Sequence, residues 1–213
     1  MNFENFVKED KIIDLMKANL VALKYLVLFA IIFSVPFFII WQNGFSANLF
    51  SSNHKLWNLF APVAGVILGI VIHEMIHGIF FAMYAQKGFS AVKFGILWKM
   101  LTPYCHCKEP LKIKHYIIAL LAPLVLLGII PGIISLITGN LMLLVFGIFF
   151  SAAAAGDLMI YQLIIKEILK TMFRIIRQKL VAPSSDINKT ENFLRFFIIQ
   201  YPLPAFQARR NVF

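Results

Sequence analysis

Four stretches of this chain are almost unbroken in apolar character, separated by short polar or charged segments. They cover about residues 20–41, 57–86, 115–138 and 141–165. A helix needs about 20 residues to cross ~30 Å of hydrocarbon. Each stretch is therefore long enough to span a bilayer, and the second is long enough to tilt or project beyond it. Lys24 sits near the start of the first, and Pro36, Pro62, Pro123 and Pro131 fall within or at the ends of the four. Kinks there are tolerated when neighbouring helices satisfy the carbonyls that proline leaves free. Between the second and third stretches, Phe89–Trp98 (FSAVKFGILW) partly alternates and is rich in β-formers. It predicts a short strand or hairpin, placed to dip into the membrane surface.

The expected fold class is all-α integral membrane, with four transmembrane helices and a short cytoplasmic β-like loop between spans two and three. Three regions follow: an N-terminal segment over 1–19, a membrane core over 20–165, and a basic extension and tail over 166–213. Residues Lys166–Lys179 predict an amphipathic continuation of the last helix along the interface. Ala182–Phe213, with its prolines, serines and charges, reads as a cytoplasmic tail. There is no internal repeat and no low-complexity tract.

Composition strengthens this picture. Of 213 residues 60% are hydrophobic and 14% charged, and the mean hydropathy is +0.80. Soluble domains are about half apolar and a quarter charged, so a water-soluble fold is excluded. With 22 Phe and long Ile/Leu runs, disorder is excluded as well. The net charge of +10 would suggest nucleic-acid binding in a soluble domain. Here its distribution gives orientation instead. Lys8, Lys11, Lys17 and Lys24 lie at the N-terminal end, and Lys87, Lys93, Lys99, Lys108, Lys112 and Lys114 lie in the loop after span two. Nine more, from Lys166 to Arg210, follow span four, and the two remaining loops hold only Lys55. Basic residues favour the cytoplasmic side, so both termini and the 87–114 loop are expected there. No small-residue cleavage site follows a short apolar core near the N-terminus, so no removable signal peptide is expected. Cys105 and Cys107 are too close in sequence for a disulfide scaffold and read as a reduced pair.

Of ten Asp and Glu residues, only Glu74 and Asp157 fall deep within spans. An intramembrane carboxylate costs ~2.5–3.5 kcal/mol or more and marks a functional site by default. Glu74 belongs to His73-Glu74-Met75-Ile76-His77. Residues i and i+4 share one helix face, so His73 and His77 can present imidazole nitrogens to one Zn²⁺ while Glu74 takes a proton from the water that the ion activates. The bland alternative is a polar patch that helps helices pack. A catalytic zinc needs a third protein ligand. His73 lies 16 residues beyond Trp57, and Asp157 lies 16 beyond Leu141, in spans that run the same way. At ~1.5 Å per residue they reach similar depth, on the cytoplasmic side of the middle. Small residues at 151–156 precede Asp157 and permit close helix approach. Asp157 is the expected third ligand, against the alternative of a hydrogen-bonding acid at a helix end. Cys105-His106-Cys107 is a weak metal pattern, His115 reads as an interfacial anchor or an oxyanion or transient ligand, and His54 reads as solvated. No phosphate cradle, Ser/His/Asp arrangement or nucleic-acid motif is present.

HEMIH in a span, a β-like loop, an Ala-Pro-bearing span (IIALLAPLV) and a late Gly-Asp (AAAAGDLMI) together resemble the intramembrane site-2 metalloproteases. More closely, they resemble a small bacterial membrane family of unknown function described as putative zincin peptidases, from about Trp57 to Ile165 and toward Asp186. The resemblance implies a bacterial cytoplasmic membrane location. It also implies zinc held by His73, His77 and Asp157, with Glu74 as the catalytic residue. Site-2 proteases commonly place Gly after the late Asp, whereas Gly156 precedes Asp157 here, and no PDZ-like domain fits in the chain. The expected function is an intramembrane zinc metalloprotease acting on transmembrane or membrane-associated peptides, with the lipid bilayer as its other partner. Homo-oligomerisation is compatible with the sequence. A metal-binding scaffold without peptidase activity, or an ion or metal transporter, are the alternatives.

Overall fold

A computed structural model describes residues 15–46, 55–98 and 102–181. The residues expected to form the N-terminal segment up to 14, the solvated His54, and the tail from 182 onward lie outside them. The elements are α1 (Leu15–Ile40), α2 (Lys55–Tyr84), a 3₁₀ turn (Gly88–Ala91), β1 (Val92–Leu97), β2 (Thr102–Cys107), α3 (Ile113–Pro123), a π-helical segment (Leu124–Ile129), α4 (Ile130–Thr138), α5 (Leu141–Ala153) and α6 (Ala155–Val181). Asn19–Ile40, Phe60–Tyr84 and Ile113–Thr138 are each long and apolar enough to cross a membrane. The fourth expected span is not one straight helix. Leu141–Ala153 and Ala155–Phe173 are bent by 43° at Ala154, so there are four spans only if this pair counts as one.

Close helix packing is set by small residues, which let two backbones approach to van der Waals contact. A Cβ on Gly147 of α5 would come within 2.6 Å of the Gly132 backbone nitrogen on α4. Phe33 of α1 packs on Gly132, and the Phe150 ring of α5 fills the space beside Gly69 of α2. Phe33, Phe37 and Leu144 form a buried cluster with Phe29, Trp41, Leu136, Leu141 and Ile148 around it. At the end of the bundle reached by α1, α4 stops at Gly139, whose φ of +67° suits a residue without a Cβ. Trp41 Nε1 donates to the Leu136 carbonyl at 3.0 Å, and Ser46 exchanges backbone hydrogen bonds with Gly139 and Leu141 at 2.9 and 2.7 Å. Asn140 Oδ1 then accepts from Leu143 N at 3.0 Å and starts α5.

The expected strand is one arm of an antiparallel hairpin. Its register pairs Val92 with Cys107, Phe94 with Cys105 and Gly95 with Tyr104. Alternation puts Val92, Phe94, Cys105 and Cys107 on one face. Val92 and both cysteines pack against a cluster of Phe81, Leu111 and Ala119, and the Phe94 ring lies against Gly78. The hairpin thus lies against the last turns of α2. Glu109, just after β2, accepts from the backbone N–H groups of Gln86 and Lys87 at 2.8 and 3.3 Å, tying the hairpin base to the end of α2.

Gly147→Ala should destabilise the bundle by about 1–3 kcal/mol, because the added methyl meets backbone and a helix must shift. Gly65→Ala, where nothing lies within 4 Å, should be neutral or stabilising. Thermal unfolding of the two variants in detergent checks this.

Candidate metal centre

Four residues apart on α2, His73 and His77 face the same side, and both are buried, at 8% and 5% exposure. Their rings lie 5.0 Å apart, edge to face. Opposite them stands Asp157 of α6. His73 Nε2 is 3.2 Å from Asp157 Oδ2, and His77 Nε2 is 3.4 Å from Oδ1. One ligand atom from each residue lies within 4.8 Å of the other two, which makes this trio a group able to hold a metal ion. The break at Ala154 contributes directly, because it starts a new helix at Ala155 and so places Asp157 in a first turn. A carboxylate is favoured there by the helix dipole and by N–H groups that lack helical partners.

The hydrogen bonds define what the trio can bind. His77 Nδ1 is 2.9 Å from the carbonyl oxygen of Ala119 on α3. A carbonyl only accepts, so Nδ1 carries the proton. In neutral His77 the remaining nitrogen, Nε2, then presents a lone pair toward the negative Oδ1. Two acceptors 3.4 Å apart in a buried place need a proton on one of them or a metal ion between them. Two imidazoles and one carboxylate form a donor set that suits Zn²⁺ with one position left open. On this observation the residues fit zinc.

Glu74 is partly buried on the neighbouring side of α2. Its negative charge bears on Cys105 of β2. Burial first, then the charges of Glu74 and Cys107, push the Cys105 thiol up to about 12. Glu74 lies one helical turn before Gly78, against which the Phe94 ring of the hairpin packs. Burial also raises Cys107, and it lowers His106 together with the charges of Lys93 and Lys108. Cys105 and Cys107 are both free, and strand alternation turns His106 to the opposite face from them. Those three do not converge on a common point. Nor does the structure bring His115 to the trio: its ring stacks on Tyr84 at 4.2 Å. Sequence reasoning missed the Ala119 carbonyl, the Glu109 tie and the Phe94 ring over Gly78. The first of these has a legible signal in Pro123, four residues after Ala119; the other two depend on the hairpin register.

Cys105 should react slowly with iodoacetamide at pH 8, about 10³-fold below an unperturbed cysteine, because only the thiolate attacks. Glu74→Gln removes one of the charges that hold the thiol protonated, so its alkylation should speed up while that of Cys107 changes less. Peptide mass spectrometry over time reads both rates; an unchanged Cys105 rate would separate Glu74 from the hairpin.

Comparison with known proteins agrees with this chemistry. A family model described as "Putative zincin peptidase" matches residues 66–170, about half of the chain. No curated protein and no solved structure matches. The matched stretch starts within α2, after the Trp57 expected from the sequence, and ends in α6 at 170, short of Asp186. It takes in the His73–His77 helix, the hairpin, α3 and Asp157, so the candidate site lies within the part of the chain that matches the family described as putative zincin peptidase.

Proposed function

We propose that this protein is an intramembrane zinc metallopeptidase of site-2 type, with zinc held by His73, His77 and Asp157 and with Glu74 as its catalytic residue. The observation that carries the reading is the convergence of both histidine Nε2 atoms on the two oxygens of one carboxylate, with the histidines in a helix apolar enough to cross a membrane. The family description adds peptidase chemistry. The lysine distribution supports an orientation with both termini and the hairpin on the cytoplasmic side, and the family resemblance points to a bacterial cytoplasmic membrane.

When bound, zinc supplies a Lewis acid that acidifies water and polarises a peptide carbonyl. The chain's own residues do the rest. Asp157 and the two imidazoles would hold the ion, the carboxylate offsetting part of its charge. Glu74 takes the proton of the attacking water and passes it to the leaving amine. Apolar packing around α2 limits access of bulk water, which strengthens these charge interactions.

The substrate in this reading is a transmembrane or membrane-associated peptide. A helix hides its amides in its own hydrogen bonds, so the segment to be cut must be extended. The hairpin has only two strands, β1 and β2, and lies against α2 one residue beyond His77, where Phe94 meets Gly78. An extended peptide could add to the outer edge of β1 by main-chain hydrogen bonds and lie beside the metal.

Glu74→Gln should keep its zinc and lose about 10²–10⁴-fold of peptidase activity, assayed on fluorophore-labelled casein and on single-span peptides reconstituted with the protein. Full activity in that variant would remove Glu74 from the chemistry; no activity in the wild type on any of these would favour a metal-binding scaffold. Replacing Val92 or Phe94 by Pro should abolish cleavage while zinc stays bound, and unchanged cleavage would refute edge pairing.

A further inference from the structure

We propose that Pro123 is a positioning residue for His77, acting through the carbonyl of Ala119. This rests on the metal-site reading above and adds to it the device that sets which nitrogen of His77 faces the ion.

In an α-helix the carbonyl of residue i accepts from the N–H of residue i+4. For Ala119 that residue is Pro123, which has no N–H. Ala119 lies well inside α3, so its carbonyl is freed by the proline and not by the end of the helix. The next N–H along the chain does not replace the missing one, since Leu124 N–H turns to the Leu121 carbonyl. Water does not reach Ala119 either: it is 0% exposed. A buried carbonyl left unpaired is costly, and here it receives the Nδ1–H of His77 at 2.9 Å.

The consequence for the site is specific. While the Ala119 carbonyl has no helical donor, it holds the proton on Nδ1, and Nε2 is left as the free donor atom turned to Asp157, 3.4 Å from Oδ1. The same bond fixes the ring's rotation between α2 and α3. Pro123 is itself among the most buried side chains, and the helix after it widens into the π-helical segment Leu124–Ile129, which absorbs the change in hydrogen bonding. Pro36 makes a useful contrast. It frees a carbonyl at Ile32, on a helix face where Ile32 is 49% exposed.

Pro123→Ala or Pro123→Ser restores an N–H that competes for the Ala119 carbonyl, while all three zinc ligands stay in place. Partners that orient metal-ligating histidines are worth about 10–100-fold in metal affinity. Chelator competition on the purified full chain should therefore show zinc binding about 10–100-fold weaker in either variant and unchanged in Pro36→Ala. Cobalt in place of zinc should give an altered visible spectrum in the Pro123 variants only. In zinc-free protein labelled with ¹⁵N-histidine and recorded at alkaline pH, His77 should carry its proton on Nδ1 in the wild type and on a mixture of both nitrogens in Pro123→Ala. Equal zinc affinity and an unchanged His77 tautomer in a folded Pro123 variant would overturn the proposal. So would a wild-type His77 protonated on Nε2, whether or not the variants fold. A wild type that binds no zinc, with His77 still protonated on Nδ1 and shifted by Pro123→Ala, would instead contradict the metal reading and leave the proline device standing.

Discussion

The structure depends on one electrostatic constraint: a carboxylate and two imidazoles, all lying in apolar helices, must satisfy each other or share a cation. Asp157 meets His73 at 3.2 Å and His77 at 3.4 Å. Moving such groups out of water costs several kcal/mol unless they are paired. Three helices supply the compensation. The α2 helix brings both histidines to one face, α6 begins just before Asp157 so that its dipole favours the charge, and α3 offers a carbonyl to the outer nitrogen of His77. Remove any of the three and a buried polar group is left without a partner.

The packing elsewhere serves that meeting. Glycines 69, 128, 132 and 147 let α2, α4, α5 and the π-helical segment approach until ring or backbone fills the missing Cβ. The bend at Ala154 redirects the chain from α5 into α6. On the other side the hairpin is tied by Glu109 and by the cluster around Phe81, Leu111 and Ala119. The same Ala119 thus belongs to the wall that holds the hairpin and to the bond that orients His77. This joins the packing of the hairpin to the surroundings of His77.

Much of this was legible in the residues. His73, Glu74 and His77 stand out because charged groups are rare in spans, and counting residues from Trp57 and Leu141 put Asp157 at the depth of His73. The β pattern of Phe89–Trp98 announced a strand at Val92–Leu97, whereas β2, with Pro103 and two cysteines, carries little β signal and is a strand because β1 pairs with it. The run 141–165 read as one span because its hydropathy is continuous; hydropathy does not register a bend among alanines. Pro123 read only as a kink. Its role for Ala119 was present in the spacing, but its meaning needed the packing of α2 on α3, which no local pattern encodes. The Ser46–Asn140 link is likewise a long-range contact without sequence signature.

His73, His77 and Asp157 are proposed to hold one metal ion together. The most direct measurement is metal per chain by mass spectrometry on protein purified without chelator, beside His73→Ala and Asp157→Ala. About one zinc per wild-type chain, and little in either variant, is the result this account predicts. No stoichiometric metal in the wild type would contradict it, and full occupancy in Asp157→Ala would show that the third ligand lies elsewhere.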